Sequence, residues 1–196
     1  MIGKGKSISH GVAALEYDLA KEINGQAVAT EIARHELYGC TGAEMVQEMK
    51  PYHIDFPNVK NNCLRFEVSP SIEESATFTD ADWAELGNDF MQRMGLANHQ
   101  YIIIRHSGTE SKKEQAHLHI LANRVSLSGE LYRDNWIGKK ATEAANAIAK
   151  ERNFVQSQDI GKVNKAEIKE AMDGVLKKMQ GFDFTKFKEE LGKRGF

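Results

Sequence analysis

Two apolar segments separated by a short charged connection constrain the fold of this chain more than any other feature. Residues 101–106 are rich in β-branched side chains, and residues 116–125 place two histidines in alternation with apolar residues. Both patterns predict β-strands. The connection, residues 107–115, is charged and suits an exposed loop between antiparallel neighbours. We expect an antiparallel sheet in which these two strands lie side by side.

A third strand and several helices complete the prediction. Residues 63–69 alternate in polarity and end at Pro70, which predicts a strand. Thr79 and Asp82 resemble a capping box that opens a helix ending near Gly95. Other helices are predicted over residues 10–23, 41–50, 138–152 and 164–180. Because helices and strands do not alternate regularly, we predict an α+β fold, with a central, mainly antiparallel β-sheet flanked by helices and further helices at the C-terminus.

Composition excludes several classes of protein. The 196 residues carry 26 basic and 28 acidic side chains, and a formal charge of −2 excludes a polybasic nucleic-acid binder. No apolar run approaches the ~18 residues of a membrane span, and residues 1–9 carry lysines without a following apolar stretch. We therefore expect a cytoplasmic protein without membrane insertion or a secretory signal. Cys40 and Cys63 are too few for a disulfide scaffold and are expected to be buried thiols.

The spacing of the histidines points to metal chemistry. Side chains alternate along a strand, so His117 and His119 project from one face, close enough to share an ion. His106, at the end of the neighbouring strand, becomes a third ligand if the register places it on that face. Three neutral imidazoles leave coordination positions open, and their ligand preference favours Zn²⁺ or Mn²⁺ over Mg²⁺. The alternative is that these histidines are surface residues or hydrogen-bonded core residues.

Several motifs resemble those of a known family. His106 followed by residues 117–125 resembles the third motif of the relaxases, the mobilisation nucleases of the HUH endonuclease superfamily. Residues 3–10, with Tyr17 shortly after, resemble the first motif of Bacteroides-type mobilisation relaxases. Residues 66–70 resemble the strand that lies between these motifs. The resemblance implies an HUH relaxase-like fold.

The resemblance spans about residues 1–155 and implies a relaxase nuclease domain there, with residues 156–196 as a C-terminal helical extension of the same domain. One departure concerns the carboxylate that commonly follows the first histidine. The family writes His-x-Asp-Thr, whereas Gly108 stands here at the position of the acid. If that carboxylate orients a histidine, either Glu110 or Glu114 replaces it or the metal site is weaker.

The activity that the resemblance implies is strand transfer on single-stranded DNA at an origin of transfer, which initiates mobilisation. Tyr17 occupies the position of the nucleophile, which becomes joined to the 5′ phosphate and releases a 3′ hydroxyl. His106, His117 and His119 would bind a divalent metal, Mn²⁺ or Mg²⁺ with Zn²⁺ as the alternative, that offsets charge on the phosphate. The implied partners are the DNA, accessory mobilisation proteins and a coupling protein of a type IV secretion system.

Other residues have two interpretations each. On its spacing alone, Tyr17 is a helix-face aromatic of the core, beside Leu15 and Leu19. Asn123, on the histidine face, either contacts a ligand or simply ends its strand, and Arg65 is expected to be a solvated strand residue. The residues that we expect to bind DNA are Lys4, Lys6, Ser7, His10, Ser69, Asn123 and Arg124.

Three other functions stay open on the sequence. A rolling-circle replication or transposition nuclease of the same superfamily would use the same chemistry, although replication initiators usually place the tyrosine after the histidine pair. A His₃ zinc hydrolase would activate water and would not need Tyr17. A non-enzymatic DNA-binding domain would use the histidines to hold a structural metal.

Overall fold

A computed structural model describes residues 1–108 and 115–195 of the chain. These residues group into two compact units, Met1–Val155 and Gln156–Phe196. The first unit contains every strand among the described residues and all seven histidines. The site chemistry therefore belongs to the first unit.

Five strands of the first unit form one antiparallel sheet. The seven strands among the described residues are β1 (Ile2–Ile8), β2 (Glu22–Ile23), β3 (Gln26–Ala27), β4 (Ala29–His35), β5 (Cys63–Ser69), β6 (His99–His106) and β7 (His117–Ser126). The sheet has the order β1-β5-β7-β6-β4, while β2 and β3 form a separate hairpin. Each neighbouring pair is antiparallel. The pairing of β6 with β7 confirms that the two apolar segments lie side by side, and the α+β fold is confirmed with it.

Helices cover this sheet and form the second unit. They are α1 (Gly11–Leu19), α2 (Gly42–Met49), α3 (Ile72–Ser75), α4 (Asp80–Arg93), α5 (Ile137–Glu151), α6 (Ser157–Leu176) and α7 (Phe184–Gly192), with a 3₁₀ turn at Lys50–His53. The predicted capping box opens α4: Thr79 Oγ1 accepts a hydrogen bond from Asp82 N at 3.3 Å, and Asp82 Oδ2 accepts one from Thr79 N at 2.7 Å. These two bonds satisfy donors that a helix start leaves without partners.

Two strands of the sheet, β1 and β4, have no counterpart in the sequence prediction. β1 consists largely of glycine and lysine between two isoleucines, and β4 reads Ala-Thr-Glu-Ile-Ala-Arg-His. Neither has the apolar alternation or the β-branched run that predicts the other three. Both are edge strands, with one neighbour each in the sheet. Pairing with that neighbour outweighs their weak local preference.

Two local expectations fail for identifiable reasons. The helix predicted over residues 10–23 ends at Leu19, because Asn24 and Gly25 adopt positive φ angles of 52° and 74° in the turn between β2 and β3. Cys63 is buried as expected, and burial raises the pKa of its thiol to about 11. Cys40 is exposed instead, because it lies in the turn that precedes α2 and donates its backbone N–H to Glu44.

The sheet is covered on both faces, and alternation assigns each strand residue to one of them. On one face, Leu118 and Ile120 of β7 pack with Phe90 of α4 and with α5. On the other face, Leu121 packs with Leu15 of α1 and with α2. Odd-numbered residues of β7, the two histidines among them, therefore lie on the α1 face.

Glycines in β1 let α5 approach the sheet closely. Gly3 and Gly5 face α5, and a Cβ at Gly3 would lie 2.4 Å from the carbonyl oxygen of Ala141. Lys4 and Lys6 alternate with these glycines and therefore point to the α1 face. The glycine–lysine repeat thus encodes an edge strand with one face for helix packing and one basic face.

The second unit consists of α6 and α7. The helix predicted over residues 164–180 begins earlier, at Ser157, and Asp159 in its first turn favours that start. Ile168 and Met172, two apolar residues at helical spacing in α6, are exposed. Within the described residues of the whole chain, no helix combines the length and the hydropathy needed to cross a bilayer.

Candidate metal centre

The pairing of β6 with β7 brings three histidines together. In the antiparallel register His106 lies opposite His117, and Ile104 lies opposite His119. Because side chains alternate, the three imidazoles share the α1 face of the sheet. The register therefore places His106 on the same face as His117 and His119, as a third ligand requires.

The three rings are close enough for one ion. One nitrogen from each ring lies within 4.8 Å of the others, and Nε2 of His117 is 3.1 Å from Nε2 of His119. The ring centroids of His106 and His119 are 4.5 Å apart. Nitrogen ligands lie about 2.1 Å from a zinc ion, so a separation near 3 Å suits two ligands of one ion. The residues present fit a divalent cation with imidazole ligands.

Backbone carbonyls orient two of the rings. His106 Nε2 donates to the carbonyl oxygen of Asp18 at 2.7 Å, which leaves Nδ1 of that ring with its lone pair. His117 Nδ1 donates to the carbonyl oxygen of Gln115 at 3.1 Å, which leaves Nε2 with its lone pair. Each ring is therefore held with one nitrogen available to a cation, the arrangement that metal-ligating histidines usually show.

A buried ion pair that sequence reasoning missed lies beside the third ring. The carboxylate of Asp18 is 2% exposed and accepts a hydrogen bond from Arg65 Nε at 3.1 Å. His119 Nδ1 is 4.0 Å from Asp18 Oδ1 and 3.4 Å from Arg65 Nη2. Burial raises the pKa of Asp18, while the guanidinium of Arg65 opposes that rise.

The sequence does hold an indication of this pair. The buried residues of α1 are Gly11, Ala14, Leu15 and Asp18, which follow helical spacing. An aspartate on an otherwise apolar stripe needs a cationic partner inside the fold. Arg65, expected to be solvated, alternates with the buried Cys63 on β5 and supplies that partner.

Burial keeps two of the imidazoles, His106 and His119, neutral. It is the main cause that lowers the pKa of His119, to about 2, and the other two imidazoles, Arg65 and Lys4 lower it further. Burial also lowers the pKa of His106. A neutral imidazole has the lone pair that a metal needs, so at neutral pH these two rings are ready to bind one without losing a proton.

Tyr17 is an exposed residue next to this centre. Its side chain is 55% exposed, so it is not the core aromatic that its spacing alone suggests. It directly precedes Asp18, whose backbone and side chain both approach the triad. Lys21 Nζ donates to the phenol oxygen of Tyr17 at 2.6 Å and lies 4.8 Å from the centre of the ring.

A cleft of about 200 Å³ opens beside His119. Its walls include Lys4 and Lys6 of β1, and Arg65 and Glu67 of β5. Lys4 Nζ lies 2.9 Å from Glu67 Oε1 in an exposed ion pair. The cleft therefore carries more positive than negative side chains, which suits a phosphate-containing ligand.

Of the other residues predicted to bind DNA, Ser69 is connected to the triad and two are not. Ser69 Oγ accepts a hydrogen bond from Gln115 Nε2 at 3.1 Å, and the carbonyl of Gln115 orients His117. Ser7 lies on the α5 face of β1, opposite to the triad. His10 precedes α1 and is exposed at the end of that helix remote from Asp18.

Asn123 and Arg124 are held by the protein itself. Asn123 is fully buried, and its amide group bonds to His53 Nε2 at 2.7 Å and to Gln100 Oε1 at 3.0 Å. Arg124 Nη2 lies 2.6 Å from Asp134 Oδ1. These contacts fasten β7 to the segments around it and leave Asn123 no exposed surface for a ligand.

A carboxylate does approach the triad, but it comes from α1 and not from the loop after His106. Glu110 and Glu114, the replacements considered from the sequence, lie outside the described residues. Asp18 on α1 is a carboxylate that the structure does bring to the triad. It approaches His119 from the helix instead of from the loop after His106.

A histidine triad on adjacent antiparallel strands, next to a helix with an exposed tyrosine, is the arrangement that the resemblance to HUH nucleases implies. The family model "Relaxase: MobA/VirD2-like, nuclease domain" matches residues 17–154. The chain therefore belongs to this family of relaxase nuclease domains, and its activity is of the relaxase type, the nicking of DNA. The match includes Tyr17 and all three histidines.

One solved structure is similar to this chain over most of the length of both. It is the conjugative relaxase TrwC in a metal-bound complex with oriT DNA, with 11% sequence identity and a TM-score of 0.47. The similarity covers 97% of this chain and 89% of the TrwC chain. None of the curated proteins compared with the chain matches it.

Proposed function

We propose that this domain nicks single-stranded DNA at an origin of transfer by forming a covalent bond between Tyr17 and the 5′ phosphate, and later rejoins the strand. The observation that supports the proposal is the packing of the end of α1 against the triad. The carbonyl of Asp18, next in sequence to Tyr17, accepts a hydrogen bond from His106 Nε2 at 2.7 Å. This bond ties the backbone that carries the tyrosine to the candidate metal ligands.

In the proposed reaction the phenol oxygen of Tyr17 forms a bond to phosphorus. The phenol gives up its proton to solvent, the bond from phosphorus to the 3′ oxygen breaks, and that oxygen leaves with the electron pair and takes up a proton from solvent. Lys21 donates to the phenol oxygen at 2.6 Å, and its positive charge stabilises negative charge on that atom. The phosphotyrosine retains the bond energy, so a 3′ hydroxyl can reverse the reaction, which attack by water would not allow.

His106, His117 and His119 would hold the divalent cation, Mn²⁺ or Mg²⁺ with Zn²⁺ as the alternative. When bound, the cation supplies a Lewis acid that offsets charge on the nonbridging phosphate oxygens. The carbonyls of Asp18 and Gln115 fix the orientation of two rings in advance. Positive side chains in the cleft, Lys4 and Lys6 among them, would attract the DNA backbone there.

The mobilisation role carries further proposals about the surroundings of the domain. We propose the Bacteroides-type relaxases as its subgroup, residues 156–196 as a helical extension of the nuclease domain, and the cytoplasm as its location. Its partners would be accessory mobilisation proteins and a type IV secretion coupling protein. Strand and site specificity would be supplied by the origin sequence.

Replacement of the nucleophile tests the reaction. Wild-type protein with Mn²⁺ or Mg²⁺ is expected to form a covalent adduct, visible by denaturing gel electrophoresis, with a single-stranded oligonucleotide from a cognate origin. Tyr17→Phe should abolish the adduct, because it removes the attacking oxygen and leaves the exposed ring in place. Tyr38→Phe is a matched control, since Tyr38 is 75% exposed and lies outside the cleft.

Two results would count against the proposal. An adduct formed by the Tyr17→Phe protein would show that another residue is the nucleophile. Metal-dependent hydrolysis of phosphodiesters by that variant, without an adduct, would favour the water-activating zinc hydrolase.

A further inference from the structure

Trp136 is an exposed tryptophan held in an unusual backbone conformation. Its side chain is 80% exposed, whereas the other tryptophan, Trp83, is 2% exposed. It precedes α5 with φ 59° and ψ 28°, a left-handed conformation that few bulky residues adopt. Ile137, which follows it, is buried and donates its N–H to the carbonyl of Asp134 at 3.1 Å. The backbone is therefore anchored where the indole projects into solvent.

The surroundings of the indole are basic. Trp136 borders an open cavity of about 310 Å³ whose other walls are Lys139, Lys140 and Glu143. Lys140 is ordered, because its ammonium donates to the carbonyl of Arg133 at 2.7 Å. Glu143 forms an exposed pair with Lys139 at 3.8 Å, which contributes little. An aromatic plane beside two lysines matches the combination that binds single-stranded nucleic acid without sequence preference.

The first turns of α5 lie directly against the edge strand β1. Thr142 Oγ1 donates to the carbonyl of Gly3 at 3.0 Å, and a Cβ at Gly138 would lie 3.5 Å from the carbonyl of Gly5. The other face of β1 carries Lys4 and Lys6, which line the cleft beside His119. The start of α5 and the cleft therefore lie on opposite faces of the same edge strand, and a nucleic-acid strand that passes round this edge can contact both.

We propose that Trp136 is a stacking platform for a base of the bound DNA strand, with Lys139 and Lys140 contacting its phosphates. The inference rests on the proposed function, and it adds a second contact point on the far side of β1 from the triad. Single-stranded DNA is the occupant that these observations favour, because the cleft and the cavity both carry lysines that attract phosphates and an indole stacks on any base.

The test measures noncovalent binding in a Tyr17→Phe background, which removes the proposed chemistry. A fluorescent single-stranded oligonucleotide from a cognate origin is titrated at fixed salt and followed by anisotropy. Trp136→Ala is expected to weaken binding by about 10-fold, and Trp136→Phe to retain most of it, since a phenyl ring still stacks. Tyr38→Ala, the loss of an equally exposed aromatic, should leave the affinity unchanged.

Tryptophan fluorescence gives a second readout in the same samples. Bound DNA should shield Trp136 from acrylamide, and Trp136→Phe should remove this protection because the remaining Trp83 is buried. Unchanged affinity of the Trp136→Ala protein, or unchanged acrylamide access at saturating DNA, would overturn the platform and leave a protein partner for this surface.

The experiments distinguish failure of the stacking platform at Trp136 from failure of the covalent mechanism at Tyr17. If the parent protein with Tyr17 forms the adduct and Trp136→Ala binds normally, only the platform is wrong. If no adduct forms but Trp136→Ala weakens binding, the platform stands and the covalent mechanism is wrong.

Discussion

Asp18 shows at the level of one residue how the fold supports the site. A buried carboxylate is costly, and the partner that offsets the cost, Arg65, comes from a strand on the far side of the helix–sheet interface. Both groups of the pair approach Nδ1 of His119. The pair therefore supplies charge next to the one ring of the triad that no backbone carbonyl of the described residues orients.

We predict that Asp18→Asn lowers metal affinity by about 10- to 100-fold, the usual effect of removing a group that orients a ligand. It should also lower the free energy of unfolding by about 1–3 kcal/mol, because Arg65 loses its partner but is partly solvated. Calorimetric titration with Mn²⁺ measures the first effect and urea denaturation the second.

Asp134→Asn is the matched control for this substitution. It also breaks an arginine–aspartate pair, with Arg124, but at a distance from the triad along β7. It should affect stability and leave the metal affinity intact. Equal metal affinities of the Asp18→Asn and wild-type proteins would contradict a positioning role for Asp18.

At the level of the element, β1 combines two functions in one short repeat. Its glycines accept α5, and its lysines face the cleft, so neither set of residues can shift to the other face without loss. This explains why a segment with so little β propensity forms a strand. The packing of α5 on one face of β1 and the pairing of β1 with β5 along one edge fix the conformation of this strand.

Gly3→Ala is expected to destabilise the protein by about 1–3 kcal/mol, because the new methyl group would overlap Ala141 and Ala145 of α5. Gly138→Ala is the control within the same interface. The nearest atom to its Cβ would be at an ordinary 3.5 Å, so that change should be neutral or stabilising by up to about 1 kcal/mol. Urea denaturation of both variants and of the wild type measures these free energies of unfolding. Equal stabilities would show that α5 can move away from β1 without cost.

At the level of the whole molecule, the sequence predicts the interior of the sheet better than its edges. β5, β6 and β7 are recognisable because interior strands carry regular apolar patterns, and the histidine triad follows from two of them. β1 and β4 are set by partners distant in sequence. The ion pair of Asp18 with Arg65 can be predicted in part, because a charged residue on an apolar helix stripe needs a partner of opposite charge. No sequence pattern identifies that partner as Arg65.

Stability should depend on pH through the buried histidines. Burial lowers the pKa of His99, His106 and His119. Below about pH 6.5 the unfolded chain therefore binds more protons than the folded one. The free energy of unfolding then decreases as the pH is lowered, by up to about 1.4 kcal/mol per pH unit for each histidine. Asp18, whose pKa is raised, acts in the opposite direction, but only near the range where carboxylates titrate.

Urea denaturation at pH 7, 6 and 5 in the presence of a chelator measures this dependence. The His99→Gln protein, changed outside the triad, should show a shallower fall than wild type. A free energy of unfolding that stays constant from pH 7 to pH 5 would contradict the prediction.

The pairing of His106 with His117 across β6 and β7 affects how the chain reaches its native state. A slip of one residue between β6 and β7 would turn the histidines of one strand toward α4 and separate the triad. On the proposal that the triad binds a cation, the ion recognises only molecules with the correct pairing, and at 100 times its dissociation constant it stabilises them by about 2.7 kcal/mol. Metal supply would then govern the yield of correctly paired protein as well as the rate of strand transfer.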